Sequence, residues 1–170
     1  MVTLRIITSV IEGFAVTVIT VNTTAGRLTV EQRRTLARTL TDAVLVPEIG
    51  QFMEAARVGF QVHFVERAAD MIAIGGVLAA DSGQDVMHID VAVMDADWNP
   101  DVRAEVIERI LAAMAEACEV DVPAPTWWVN FRTIDEGSWG SGGGVTSILD
   151  LLNTGVFTPE RAATIRAALS

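Results

Sequence analysis

Lysine is absent from this 170-residue chain, and all twelve of its basic residues are arginine. Schiff-base chemistry and the lysine of a phosphate-binding P-loop are excluded with it. Positive charge is scarce overall: 12 arginines face 22 aspartates and glutamates, for a net charge of −10 and a pI near 4.5. That balance excludes general binding to nucleic acid or to an anionic membrane, because phosphate affinity requires a cationic face. A convergent arginine pocket is the seat left for a small anion, and arginine suits bidentate carboxylate recognition. The single cysteine, Cys118, cannot form an internal disulfide, and with His63 and His88 as the only imidazoles there are too few ligands for a structural zinc site of the usual kind. No metal and no cofactor is expected, and a reducing, cytoplasmic setting is the default. Long apolar runs are also missing. The longest, Met71 to Ala80, contains Gly75 and Gly76 and falls far short of the ~20 residues of a membrane span. Val2 to Val21 is interrupted by Arg5, Glu12 and Gly13 and lacks an Ala-x-Ala site, so it reads as strand rather than signal peptide. What is present, 51% hydrophobic and 20% charged residues, suffices for one or two small packed domains and excludes wholesale disorder.

The chain reads as two similar halves. Phe14 to Val21 predicts a strand, and Thr24-Ala25-Gly26 a turn. Thr29-Val30-Glu31-Gln32 is a capping box opening a helix whose inner face is Leu36, Leu40, Ala43 and Val44. Arg33, Arg34 and Arg38 fall on the opposite, solvated face. After a loop around Pro47, a second strand runs from about Val58 to Glu66, with Phe60, Val62 and Phe64 on one side and Gln61, His63 and Val65 on the other. Gly75-Gly76 follows. The order then recurs: a strand from Met87 to Met94, a helix capped by Asn99 with Pro100 first and Val102, Val106, Ile110 and Met114 inward, a strand from Thr126 to Thr133, and Gly142-Gly143-Gly144.

Right-handed crossovers in two such units place both helices on one face of a shared four-stranded sheet. The other face then carries Gln61, His63, Trp128, Asn130 and Arg132, too wet for a monomer core and too apolar for free solvent, which points to burial in an oligomer. Thr146 or Ser147 caps a short helix to Leu152, and Thr158-Pro159-Glu160 opens a last one that packs on a neighbour or over the sheet edge. The expected divisions are an extension over 1–16, halves over 17–80 and 81–144, and a helical tail over 145–170, all within one structural domain.

The segment Trp128-Val129-Asn130-Phe131-Arg132-Thr133 through Trp139-Gly140-Ser141-Gly142-Gly143 resembles the closing strand and glycine turn of the tautomerase superfamily. Phe64-Val65-Glu66 through Ile74-Gly75-Gly76 is a looser copy. Gly26-Arg27-Leu28-Thr29 and Leu40-Thr41-Asp42-Ala43 resemble the first helix region of its long, fused members such as the cis-3-chloroacrylic acid dehalogenases. The resemblance runs from about Phe14 to Gly144. It implies a 4-oxalocrotonate tautomerase-like fold: a tandem βαβ repeat forming one four-stranded mixed sheet with two helices on one face. It further implies a homotrimer and proton transfer on small keto or enol acids, or hydration-type dehalogenation, by an N-terminal proline. The proline position aligns with Thr17, where an internal amide has no useful basicity, and Met1-Val2 offers no proline. The resemblance makes Arg27 a carboxylate ligand and Trp139 the aromatic of the closing turn. The base tyrosine of the dehalogenases is replaced by Asn130, their glutamate aligns near Ser141, and their paired arginines near the acidic stretch Met94 to Asp97. The scaffold is kept and the hydration machinery is absent.

Several residues admit two readings. Arg27 either binds a carboxylate or lies on the surface before the helix. Arg132 is either a ligand cation or half of an intersubunit ion pair with Glu66, Asp135 or Glu136. His88 and Asp90 share a strand face, as a base with its orienting carboxylate or as an interface pair satisfying each other. Cys118 reads as core, Trp127 packs against helix and Trp128 lines the outer face. Asp95, Asp97 and Asp101 serve the helix start rather than a metal, and the late glycines allow close backbone approach at a turn. The expected protein is therefore a homotrimeric, tautomerase-like isomerase acting on small keto or enol acids without the N-terminal proline. Arg27, Asn130, Arg132 and Trp139 are its binding candidates, and His63 and His88 its candidate bases. The alternatives are a catalytically silent binding or structural trimer, and a ferredoxin-like dimer that binds a small ligand.

Overall fold

The computed structural model describes residues 17–170; the expected extension over 1–16, and the strand start at Phe14, lie outside the described residues. The first half comprises β1 (Thr17–Thr24), α1 (Val30–Ile49), β2 (Phe60–Arg67) and a hairpin of β3 (Ala73–Ile74) and β4 (Val77–Leu78). After a single helical turn, α2 (Ala79–Ser82), the order repeats as β5 (Met87–Met94), α3 (Pro100–Ala117), β6 (Trp127–Ile134) and a hairpin of β7 (Trp139–Ser141) and β8 (Gly144–Thr146). Two tail helices follow, α4 (Ile148–Leu151) and α5 (Pro159–Ala168).

The four long strands form one mixed sheet in the order β2-β1-β5-β6, with β1 parallel to β2, β5 parallel to β6, and the two halves joined by the antiparallel β1–β5 pair. A ferredoxin-like sheet would pair the second long strand with the third as an antiparallel neighbour, whereas here β2 pairs in parallel with β1, and β5 pairs with β1 and β6. Alternation sets the two faces. Ile19 and Val21 of β1 and Met87, Ile89, Val91 and Val93 of β5 are fully buried, under Leu36, Leu40 and Val44 of α1 and Val106, Ile110 and Met114 of α3. α1 opens on the full capping box, with the Thr29 hydroxyl accepting from Gln32 N and the Gln32 side chain accepting from Thr29 N. Asn99 caps α3 by accepting from the backbone N–H groups of Asp101 and Val102.

Three sequence expectations are corrected. α1 does not stop at a loop around Pro47 but runs through it to a left-handed Gly50, whose N–H bonds Val46 O at 2.9 Å. Proline removes one donor in the last turn, and burial of the Pro47 ring and of Ile49 just beyond it offsets that loss. The paired glycines answer dihedral need rather than close approach. Gly75 and Gly76 (φ +61° and +84°) and Gly142 and Gly143 (φ +60° and +85°) turn the two hairpins, and an added Cβ at Gly75, Gly76 or Gly143 would meet nothing within 4 Å. Successive positive φ values are those of a type I′ turn. The arginine face of α1 is not simply solvated: Arg33 reaches Glu66 of β2 at 2.5 Å, and Arg34 and Arg38 line a cavity at the sheet edge.

The tail folds back on its own chain. Thr158 N donates to Ile49 O, and Arg161 of α5 donates to Glu48 O at 3.0 Å and to the carbonyls of Ala96 and Asp97. α5 thereby closes the end of the core where α1 finishes and α3 begins.

Candidate functional site

The face of the sheet opposite the helices gathers most of the sequence-predicted polar residues. By register, Asn22 of β1 lies opposite Val65 of β2 and His88 of β5, Thr20 opposite His63 and Asp90, and His88 and Asp90 lie opposite Trp128 and Asn130 of β6. A continuous polar chain crosses the middle of this face. Arg67 Nη1 donates to Asn22 Oδ1 at 3.1 Å, and Asn22 Nδ2 donates to Asp90 Oδ2 at 3.2 Å and to the His88 carbonyl. His88 Nε2 stands 3.5 Å from Asp90 Oδ1 and 2.6 Å from Asn130 Nδ2. One ring nitrogen therefore meets both neighbours: unprotonated, it accepts from the Asn130 amide, and protonated, it favours Asp90. His63 contacts Gln61 Oε1 at 3.0 Å one strand beyond β1. Arg132 is exposed two residues beyond Asn130 on the same face and makes no ion pair among the described residues. Trp128, 57% exposed, anchors its indole N–H on Pro125 O at 3.0 Å.

Arg27 is elsewhere. Its guanidinium makes a bidentate pair with Asp85, Nε to Oδ1 and Nη2 to Oδ2 both at 2.8 Å, and lies 5.9 Å from the centroid of Trp127, which packs into the core. The Asp85 hydrogen bond raises an already high pKa, so the charge is permanent. Any carboxylate ligand would compete with Asp85 for the fork. Arg27→Ala leaves Asp85 unpaired and is expected to cost about 1–3 kcal/mol in urea unfolding; an unchanged midpoint would show that the pair contributes nothing. Cys118 sits beside this cluster, and burial pushes its thiol up, so it stays protonated at neutral pH. Trp139, in β7, is partly buried against the core and is not brought into the His88 chain.

A second group was not visible in the sequence. Glu48, 1% exposed in the last turn of α1, accepts from the Thr17 hydroxyl at 3.3 and 3.5 Å. Burial pushes its carboxyl up to about 8, against the opposing pull of the Thr17 hydroxyl and the Arg161 charge. Reading Pro47 as a helix stop placed Glu48 in a loop, where an acid needs no partner. Asn22 and Arg67 were missed for a simpler reason: their signal is parity with His63 and His88, legible once the register is known. Among the described residues no group of three or more His, Cys, Asp or Glu side chains is placed to hold a metal, and no helix is long and apolar enough to cross a membrane.

No protein-family model and no curated protein matches the chain. Solved structures do. It is similar to native fused 4-OT, with a TM-score of 0.62 at 23% identity over 75% of this chain and 94% of that one. It is also similar to N1, a member of the cis-3-chloroacrylic acid dehalogenase family, with a TM-score of 0.64 at 17% identity over 88% and 99% of the two chains. Leishmania major MIF2 matches with a TM-score of 0.57 at 16% identity over 79% and 100%. With the tandem βαβ-hairpin order and the mixed four-stranded sheet, these likenesses establish that the chain has the tautomerase-superfamily fold in its fused form.

Proposed function

We propose that the protein is a tautomerase-like isomerase of small keto or enol acids, working as a homotrimer and without an N-terminal proline. The observation that carries this reading is the juxtaposition of His88, Asp90, Asn130 and Arg132 on the face left open by the helices. Imidazole is the side chain whose ordinary titration range lies nearest neutrality, which suits proton transfer. In the ketonisation of an enol acid, His88 Nε2 takes the enol hydroxyl proton, and the imidazolium so formed gives that proton to the far carbon of the C=C as the C=O forms. Asp90 faces the imidazolium, Asn130 exchanges its bond to Nε2 for one to the substrate oxygen, and Arg132 receives the carboxylate. His63, one strand beyond β1, is the second candidate base. Arg27 enters as a fixed charge held by Asp85, and Trp139 as hairpin packing rather than as a direct contact.

Assembly supports the reading. The hairpins expose Val77, Leu78 and Val145, Met71 is exposed just before the first of them, and the open face exposes Trp128; a lone chain would leave all of these in water. Two fused 4-OT proteins of similar fold are trimers, F6 an asymmetric and Q0 a symmetric one. Light scattering at micromolar concentration is expected to give the mass of three chains, and a mass of one or two would reject the trimer.

The chemistry is expected to be slow. Ketonisation of phenylpyruvate enol or 2-hydroxymuconate should run at least ~10²-fold below that of a proline-bearing tautomerase-superfamily member, with His88→Gln removing most of what remains. A second reading, a catalytically silent trimer, is favoured by one observation: His88 Nε2 is already satisfied at 2.6 Å by Asn130. Activity at background level in wild type and His88→Gln alike would establish that second reading.

A further inference from the structure

On the helix side of the sheet edge, away from the open face, lies a cavity of about 430 Å³ between the outer face of α1 and the edge strand β2. Its floor is apolar, made by Ala37, Phe60 and Val62, and its rim carries Arg34, Arg38 and Arg57. Thr41, also in the wall, turns its hydroxyl to its own helix, donating to Ala37 O at 2.8 Å, so the floor offers no free donor. Three of the chain's twelve arginines thus meet in one place, on a protein whose net charge is −10.

Their states differ in a way that defines a ligand. Arg57 is clamped by Asp42, Nε to Oδ1 at 2.8 Å and Nη2 to Oδ2 at 2.6 Å, and stacks over Phe52 with its guanidinium carbon 5.1 Å from the ring centroid. Its charge is thereby balanced by Asp42, with Glu54 Oε1 a further 3.6 Å from Nη1, so it forms wall and offers no uncommitted charge. Arg34 pairs with Glu31, one turn back on α1 and exposed to water. Arg38 has no hydrogen-bond or ion-pair partner among the described residues, so its five donors are available to whatever enters. One uncommitted guanidinium above an apolar floor matches one anionic group on an apolar body.

We propose that this cavity is a binding site for small amphiphilic monocarboxylates, an aryl or branched-alkyl group lying on Ala37, Phe60 and Val62 and the carboxylate forked by Arg38. The site is independent of the open sheet face and of any isomerase activity there. Charge alone does not fill it, because a hydrated anion gains little from an apolar floor, and an uncharged aryl compound leaves Arg38 unmatched.

Calorimetric titration of the full chain with 3-phenylpropanoate at low salt tests this, with acetate and 3-phenylpropanol as the charge-only and body-only probes. Saturable binding at one Arg38-dependent site per chain is expected for 3-phenylpropanoate, at least tenfold tighter than for either control, whether or not the open face takes a second molecule. Arg38→Gln, an exposed change that leaves the core untouched, should weaken it at least tenfold, and Ala37→Leu, which fills the floor, should do the same. Arg132→Gln on the open face should leave it unchanged. No saturable binding by wild type, equal binding by Arg38→Gln, or loss of binding in Arg132→Gln with Arg38→Gln unaffected would each overturn the assignment.

Discussion

Between pH 5 and pH 8 the folded chain is expected to lose on the order of 4 kcal/mol of stability through one side chain, Glu48. Its carboxyl is raised from an ordinary 4.5 to about 8 in the folded state, chiefly by burial. In the unfolded chain the same carboxyl is solvated and releases its proton at the ordinary value. Across the window between the two values the folded state therefore holds a proton that the unfolded state has released. The contribution is complete below about 4.5 and is lost as pH rises through 8, with a slope of about 1.4 kcal/mol per pH unit. The direction is opposite to that of a salt-bridged surface carboxylate. Glu48→Gln is the matched control, because the amide is neutral at every pH and its oxygen still accepts from the Thr17 hydroxyl. Urea unfolding of both proteins at pH 5, 6.5 and 8 should show near-equal stability at pH 5 and a growing advantage for the variant above it. A difference that stays flat across that range would mean that Glu48 ionises in the folded protein at its ordinary pH.

The halves of the fold were legible because each element carries its own boundary signal. Thr29 with Gln32, Asn99 with Pro100, and Thr158 with Pro159 all cap the helices they were expected to cap, and period-two alternation placed Gln61, His63, Trp128, Asn130 and Arg132 on one face before any strand order was known. Boundaries slipped where a local rule met tertiary packing. Pro47 reads as a stop, but one missing donor is a small loss beside burial of the turn that follows. Candidate site residues divided along the same line. Asn130, Arg132, His63 and His88 share a face because parity alone puts them there. Arg27 pairs with Asp85, a residue 58 positions away, and no spacing rule announces such a partner. Arg161 is the same case in stronger form, since its acceptors are carbonyls from the last turn of α1 and from the distant β5–α3 loop, and a backbone carbonyl has no signature in a sequence.

Arg161→Met is accordingly expected to be the most damaging single change in the tail, costing about 3–5 kcal/mol. The side chain is buried, at 9% exposure. Its Nε donates to Glu48 O at 3.0 Å, its Nη2 to Ala96 O and to Asp97 O, and its Nη1 faces Asp97 Oδ2 at 3.3 Å. Methionine fills much of the volume but leaves three carbonyls and a carboxylate without their donor. Arg161→Lys keeps the charge and loses the planar fork, so it should recover only a minor part of the stability. Full recovery by lysine, or a loss below about 1 kcal/mol in the methionine variant, would reduce Arg161 to a surface contact. The two predictions are also coupled. The Arg161 charge pulls the Glu48 carboxyl down against the larger effect of burial, so removing it should let the carboxyl rise further. In Arg161→Met the pH-dependent loss should therefore extend above pH 8, while in Arg161→Met combined with Glu48→Gln it should vanish.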